Sequence, residues 1–150
     1  MKIFGAVFLV AMVVLQFTKY NWGKTTVTLK DVPLQALVAK NTYQLEKGLG
    51  GRKSLAPYDA MIFPFSLPGR YAFVMRDMQF AIDIVWLNAG EVVDIAPSVP
   101  PEPGVSEDQL RRYLPRSAAT MVVELPAGWA QAHGLAIGDR LTVPEPCLFS

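Results

Sequence analysis

The chain has 150 residues, 51% of them hydrophobic, a mean hydropathy of +0.26 and a formal net charge of +1. That is enough chain for one domain with a sizeable core plus an appendage, and it is too apolar for a disordered protein. The near-zero charge and the absence of any Lys or Arg run argue against a nucleic-acid partner. A single cysteine, Cys147, and a single histidine, His133, exclude an internal disulfide and a His/Cys metal cluster.

Residues 1–20 read as a membrane anchor or a signal segment. After Lys2 come sixteen uncharged residues, Ile3 to Thr18, followed by Lys19, Tyr20, Trp22 and Lys24. A helix over 3–18 would span roughly 24 Å, short of a hydrocarbon core of about 30 Å, and the aromatic and lysine side chains would extend it at the interface. A small-x-small cleavage site is hard to find after Leu15, so an uncleaved anchor is favoured over a cleaved signal that would release a secreted domain. Either reading places the folded part on the extracytoplasmic side.

Residues 21–33 read as a tether holding a first short strand, Thr25 to Leu29, rich in Thr and Val. Leu34 to Ala39 is a second strand. Asn41 or Thr42 caps a short helix, with Gln44 three residues after Asn41, and Gly48 stops it. The stretch GLGGRKSL, Gly48 to Leu55, invites a phosphate-loop reading, but a Walker loop needs Gly immediately before Lys-Ser, and Arg52 stands there. A structural turn with an inward cation is the better reading, and no cofactor is expected.

Asp59 to Phe65 reads as a strand, in which Pro64 implies an edge or a bulge. The next stretch, Tyr71 to Ile95, reads as the middle of the sheet. Tyr71, Phe73 and Met75 alternate with Ala72, Val74 and Arg76, and Ile82, Ile84 and Trp86 alternate with Asp83, Val85 and Leu87. Asn88-Ala89-Gly90 turns the chain into a returning strand, Glu91 to Ile95. Asp83, set among Ile82, Ile84 and Val85, is costly to bury without hydrogen bonds or a cation and needs a dedicated partner.

From Pro97 to Gly104 the chain is a proline-rich loop, followed by a short helix with Ser106 as N-cap. Ala119 to Leu125 is a strand. Pro126 opens a short helix that Gly134 closes, with His133 in its last turn as a surface or cap residue. No Ser or Cys nucleophile motif accompanies this histidine. Gly138-Asp139 turns into a closing strand, Arg140 to Val143, and 144–150 is a flexible tail. Many short strands, few short helices and no alternation with long helices give a mostly β (α+β) domain over 34–143, barrel-like or built of two sheets, behind the N-terminal hydrophobic helix.

The blocks GLGGRKSL, DAMIFPF, YAFVMRDMQFAIDIVWLNAGEVV and VVELPAGWAQAHGLAIGDRL, in that order, resemble the family catalogued as domain of unknown function 192, over roughly Leu34 to Val143. The resemblance implies a compact, predominantly β domain, often behind a signal or anchor, with no established activity. Gly48, Leu49 and Arg52 fall on the glycine, leucine and arginine of its Gly-Leu-Met block, with Gly50 in place of the usual Met. Met61 and Phe63 fall on its Met-x-Phe strand, and Phe73 and Met75 on its Phe-Trp-Met block, with Val74 in place of Trp. Asp83 takes the position of the family's aspartate, and Gly138 and Asp139 match its closing turn.

Two roles follow for Arg52 and Asp83. Either they form an ion pair in or near the core, or they stand at the rim of a ligand pocket lined by Met61, Phe73, Met75 and Met78. The function expected is a membrane-anchored, non-catalytic module that binds an envelope glycan or protein. A purely structural envelope protein, contacting partners through an exposed Trp129 and the loop 97–104, is the alternative. A hydrolase using Asp77, Asp83 and Asp94 is the least favoured reading, and the catalytic set is expected to be empty.

Overall fold

A computed structural model describes residues 21–143; the expected anchor over 1–20, the tail 144–150 and Cys147 lie outside the described residues. Seven strands, β1 (Gly23–Leu29), β2 (Val32–Val38), β3 (Ala60–Gly69), β4 (Ile82–Asn88), β5 (Glu91–Val99), β6 (Ala119–Pro126) and β7 (Leu141–Thr142), form one sheet in the order β5-β4-β6-β3-β2-β1-β7. Two short helices, α1 (Thr42–Lys47) and α2 (Trp129–Ala132), and a 3₁₀ turn, Glu107–Gln109, complete the domain. The arrangement is mostly β, in one curled sheet rather than two. Its edges meet where Glu91, at the start of β5, bridges Arg140, and Leu141 N–H donates to Gly90 O at 2.8 Å. Among the described residues, no helix is long and apolar enough to cross a membrane.

The alternation of side chains sorts the core into two layers. Val27, Leu29, Leu34, Ile62, Val85, Leu87, Val123 and Leu125 fill the concave face. Leu37, Met61, Phe63, Ile84, Trp86 and Val122 point the other way, where Leu49, Leu55, Met75 and Met78 from the connections cover them. Burial on both faces explains why β4 and β6 read as continuous apolar runs: the connections act as a second wall.

The hairpin of β4 and β5 forms as the sequence indicates, with positive φ at Ala89 (47°) and Gly90 (79°). It is not the middle of the sheet. β5 is an edge, and the centre is β6 and β3, which pair antiparallel. Nor does Tyr71 to Arg76 form a strand. β4 already pairs with β5 on one side and β6 on the other, so no edge beside it is free, and 71–80 instead lies across the outer face. A single bridge, Phe73 to Tyr113, and the Trp86 Nε1–H donated to Tyr71 O at 3.1 Å hold it there.

The cap of the first helix and the bulge at Pro64 are as read. The Asn41 side chain accepts Gln44 N–H at 3.0 Å, Gln44 Oε1 accepts Lys40 N–H at 2.7 Å, and Gly48 ends α1 at φ 49°. Pro64 lies where the β3–β6 register shifts, in a central strand that tolerates it as a bulge. Ser106 precedes the 3₁₀ turn without a side-chain capping bond. Pro126 ends β6 rather than opening a helix, and α2 begins only after Gly128.

Candidate functional site

The cavity that combines curvature, glycine and a buried charge-bearing group lies on the outer face, between the end of α1, the Gly48–Gly50 turn and the 72–78 segment. Its volume is about 220 Å³. Phe63, Phe73, Val74 and Met78 supply apolar wall, Glu46, Lys47 and Arg76 border it, and Glu124 of β6 lines it as well. Phe73 meets Phe63 edge-to-face at 5.0 Å and Trp86 at 6.4 Å, which fixes the orientation of its ring.

Glu124 is the unusual member. It is 5% exposed and its Oε2 has no hydrogen-bond partner. On β6 it shares the outward face with Val122, opposite Met61 of β3 and Ile84 of β4. Burial without a cation pushes its carboxyl up to about 8, so the group holds a proton at neutral pH. A buried polar atom left unpaired costs about 1–3 kcal/mol, and its presence beside a cavity marks a place where a ligand atom could complete it.

The glycine turn itself is a closed structure. Gly48, Gly50, Gly51 and Arg52 donate their N–H groups to the carbonyls of Gln44, Lys47, Asp77 and Leu49, at 2.9, 3.0, 2.9 and 3.1 Å. With those amides spent internally, the turn is no phosphate cradle, in keeping with its spacing. Above it Arg76 is held by Glu107, with Nε donating to Oε2 at 2.7 Å, and its Nη1 donates to Glu46 O at 2.8 Å. That pairing holds the exposed Glu107 carboxyl below its ordinary range. One guanidinium thus ties the 3₁₀ turn and α1 to the rim.

Of the six residues expected at a ligand pocket, Arg52, Met61, Phe73, Met75, Met78 and Asp83, Phe73 and Met78 line this cavity, together with Gly48 of the turn. Met61 and Met75, 0% and 1% exposed, are packed into the outer core layer. Arg52 and Asp83 are neither paired nor together. The Arg52 guanidinium lies over the Trp22 ring at 5.6 Å, and among the described residues no ion pair includes either residue. Asp83 has the inward parity of Val85 and Leu87, whereas the Arg52 turn packs on the outer face, so the sheet separates them. The carboxylate of Asp83 finds its partners in backbone: Oδ1 accepts Ser98 N–H at 2.7 Å and Gly128 N–H at 3.0 Å, and Oδ2 accepts Ala130 N–H at 2.7 Å. It joins the β5 bulge at Ser98 (φ 50°) to the first turn of α2.

Asp94 is buried rather than solvated, at 7% exposure, and accepts the Arg116 backbone N–H at 2.7 Å and its Nη2 at 2.7 Å. Burial pushes this carboxyl up, but the hydrogen bonds from Arg116 and Ile95 outweigh it and leave the group below its ordinary value. Asp77 is exposed in a turn at φ 53°. Asp77, Asp83 and Asp94 therefore have three separate surroundings. Trp129 is half-buried against the inner core and stacks on His133 at 4.1 Å, so it is not the exposed contact expected. His133 Nδ1 lies 2.8 Å from Trp129 O at the end of α2, as a cap residue. Gly138 (φ 93°) and Asp139 make the closing turn. Asp139 accepts Ala136 N–H at 2.8 Å and pairs with Lys30 at 3.1 Å, and both lower its pKa.

Sequence reasoning passed over Glu124. The signal was there, since an acid among Val122, Val123 and Leu125 in a strand raises the same question as Asp83. What could not be seen is that Asp83 faces free backbone N–H groups and Glu124 faces none.

One curled, seven-stranded sheet with two short helices defines the fold class of this domain. Residues 25–143 match the model of the DUF192 family, described as an uncharacterized ACR, and the chain belongs to that family. It is 31% identical over 118 residues to the UPF0127 protein PF1050 of Pyrococcus furiosus, covering 75% of this chain and 89% of that one. A crystal structure from Sinorhizobium meliloti 1021, of a protein provisionally described as a transcription regulator, is similar at 26% identity and a TM-score of 0.72, over 82% of this chain and 95% of the other. Another, of a protein of unknown function from Novosphingobium aromaticivorans, shares the fold at 23% identity and a TM-score of 0.67, over 81% and 84% of the two chains. Gly50 and Val74, the positions smaller than the family blocks cited above, both border the cavity.

Proposed function

We propose that the domain is a non-catalytic binding module for a small ligand or end group of an envelope component. In this reading it is tethered through residues 3–18 and displayed on the extracytoplasmic side. The observation that carries the reading is Glu124 Oε2, buried and unpartnered beside a 220 Å³ cavity with aromatic walls. The volume falls below the range of about 300–1,000 Å³ usual for drug-sized ligands, which favours a single ring or short chain. The separate surroundings of Asp77, Asp83 and Asp94 favour binding over hydrolysis, because cooperating carboxylates must converge on one bond.

A thermal-shift screen of small amines, alcohols, amides, carboxylates and sugars tests the reading. A compound at about 100 times its Kd should add about 2.7 kcal/mol to the stability of the full chain. Val74→Trp, which places a large ring at the cavity wall, should abolish the effect. Stabilisation that survives Val74→Trp would put the ligand elsewhere, and no stabilising compound in any class would remove the binding reading. Protease accessibility of the chain in intact cells checks the side of the membrane independently.

A further inference from the structure

We propose that the cavity beside Glu124 selects a small primary ammonium ligand, with the Glu124 carboxylate as its counter-ion and Phe63 and Phe73 as its walls. This rests on the binding reading above and names the chemistry that the site would take.

The argument is one of donors and acceptors. The amides of Gly48, Gly50, Gly51 and Arg52 are spent within the turn, and the Arg76 guanidinium is spent on Glu107 and Glu46 O. What the site still has unmatched is the Glu124 carboxyl, whose buried Oε2 has no partner. An anion would find the Lys47 ammonium at the rim and, deeper in, a neutral Glu124 carboxyl that it would hold protonated, a single uncharged donor. A neutral alcohol could make one hydrogen bond. A primary ammonium supplies the missing donor and the missing charge together, and a charge-assisted hydrogen bond is about twice as strong as a neutral one. Phe63 and Phe73 supply the apolar wall against which the ring of such a ligand would pack. A cavity of about 150 Å³ lined by apolar side chains holds benzene, so 220 Å³ has room for a ring with an aminomethyl group.

The charged groups around the site are Glu46 and Lys47 at the end of α1 and Arg76 with Glu107 across the rim. Lys47 borders the cavity, and its Nζ would lie 3.3 Å from a Cβ on Gly51. Arg76 is neutralised by Glu107, and Glu46 offsets Lys47, which leaves Glu124 as the group whose proton must move. Protonated Glu124 and R-NH₃⁺ give the ion pair R-NH₃⁺···⁻O₂C with one proton released to solvent. Because the empty site holds that proton up to about pH 8, affinity for the ammonium should rise up to about tenfold per pH unit from about pH 6 and level off above about pH 8.

The test titrates the full chain with benzylammonium, benzyl alcohol and benzoate by calorimetry at several pH values and in two buffers of different ionisation enthalpy. Benzylammonium should bind with release of close to one proton at neutral pH and with the stated pH dependence. Glu124→Gln should abolish both the proton release and the preference for the cation. Preference for benzyl alcohol or benzoate, or ammonium binding without proton release in the wild-type chain, overturns the inference while leaving the cavity a binding site. Failure of all three to bind, while another class in the thermal-shift screen stabilises the chain in a Val74-dependent way, also overturns it and spares the binding reading. The buffer comparison needs no variant, so a Glu124→Gln protein that failed to fold would not blunt the test.

Discussion

Asp83 Oδ2 accepts the backbone N–H of Ala130 at 2.7 Å, joining residues 47 apart in sequence. With Ser98 and Gly128 bound through Oδ1, one buried side chain satisfies three main-chain donors on two elements. Asp83→Ala strands those donors and should cost about 3 to 5 kcal/mol in urea or thermal denaturation, since each unsatisfied buried group costs about 1–3 kcal/mol. Asp83→Asn keeps one acceptor oxygen and should lose less. Equal stability of wild type and Asp83→Ala would show that water or a rearranged α2 replaces the carboxylate.

Glu124 is buried without such partners. Its folded pKa is raised from 4.5 to about 8, so below pH 4.5 both folded and unfolded chains are protonated there and the fold has its full stability. As pH rises towards 8 the unfolded chain gives up a proton that the folded chain keeps, and stability falls by up to about 1.4 kcal/mol per pH unit. Glu124→Gln should remove this slope and be the more stable protein at pH 8. Parallel pH profiles for the two proteins would contradict the burial of an uncompensated acid.

Asp94 acts on the acid side. Its pKa is lowered from 3.8 in the folded chain, so its contribution is complete above that value and disappears as pH falls through the lower folded value. Arg116→Ala and Asp94→Asn should each flatten the acid limb of the stability curve, and the double variant should flatten it no further. A double variant whose loss equals the sum of the single losses would mean that the two residues act independently.

Gly50 sets the height of the turn above the cavity. A Cβ there would stand 2.8 Å from Arg76 O and 3.0 Å from Lys47 O, both backbone atoms that cannot swing aside. Gly50→Ala should destabilise by about 1–3 kcal/mol and raise hydrogen exchange at Gly51, whose N–H is held by Asp77 O at 2.9 Å. Unchanged exchange at that amide would show that the strain is absorbed elsewhere.

Much of the fold was legible because its signals are local. The Asn41–Gln44 cap, the Ala89-Gly90 turn, the Pro64 bulge and the strands around them follow from propensity and turn chemistry within a few residues. Tyr71 to Arg76 misled because an alternating apolar segment reads as a strand whether it pairs in a sheet or lies across one, and only the positions of β5 and β6 decide. The site was less legible for a related reason. Whether Asp83, Asp94 or Glu124 is satisfied depends on partners as far away as Ala130 and Arg116, and on none at all for Glu124, so three similar acids have three different surroundings.

The pairing of β1 with β7 carries a consequence for biosynthesis. Thr28 and Leu29 face Thr142 and Leu141, so the first strand to leave the ribosome is one neighbour short until nearly the whole domain has been made. β2 can zip onto β1 early through the Lys30–Asp31 turn, but the curl of the sheet cannot close from that end. Sheets built on such distant pairings are slow to fold and expose strand edges while they wait. Closure of the curl is therefore withheld until the last of the described strands arrives.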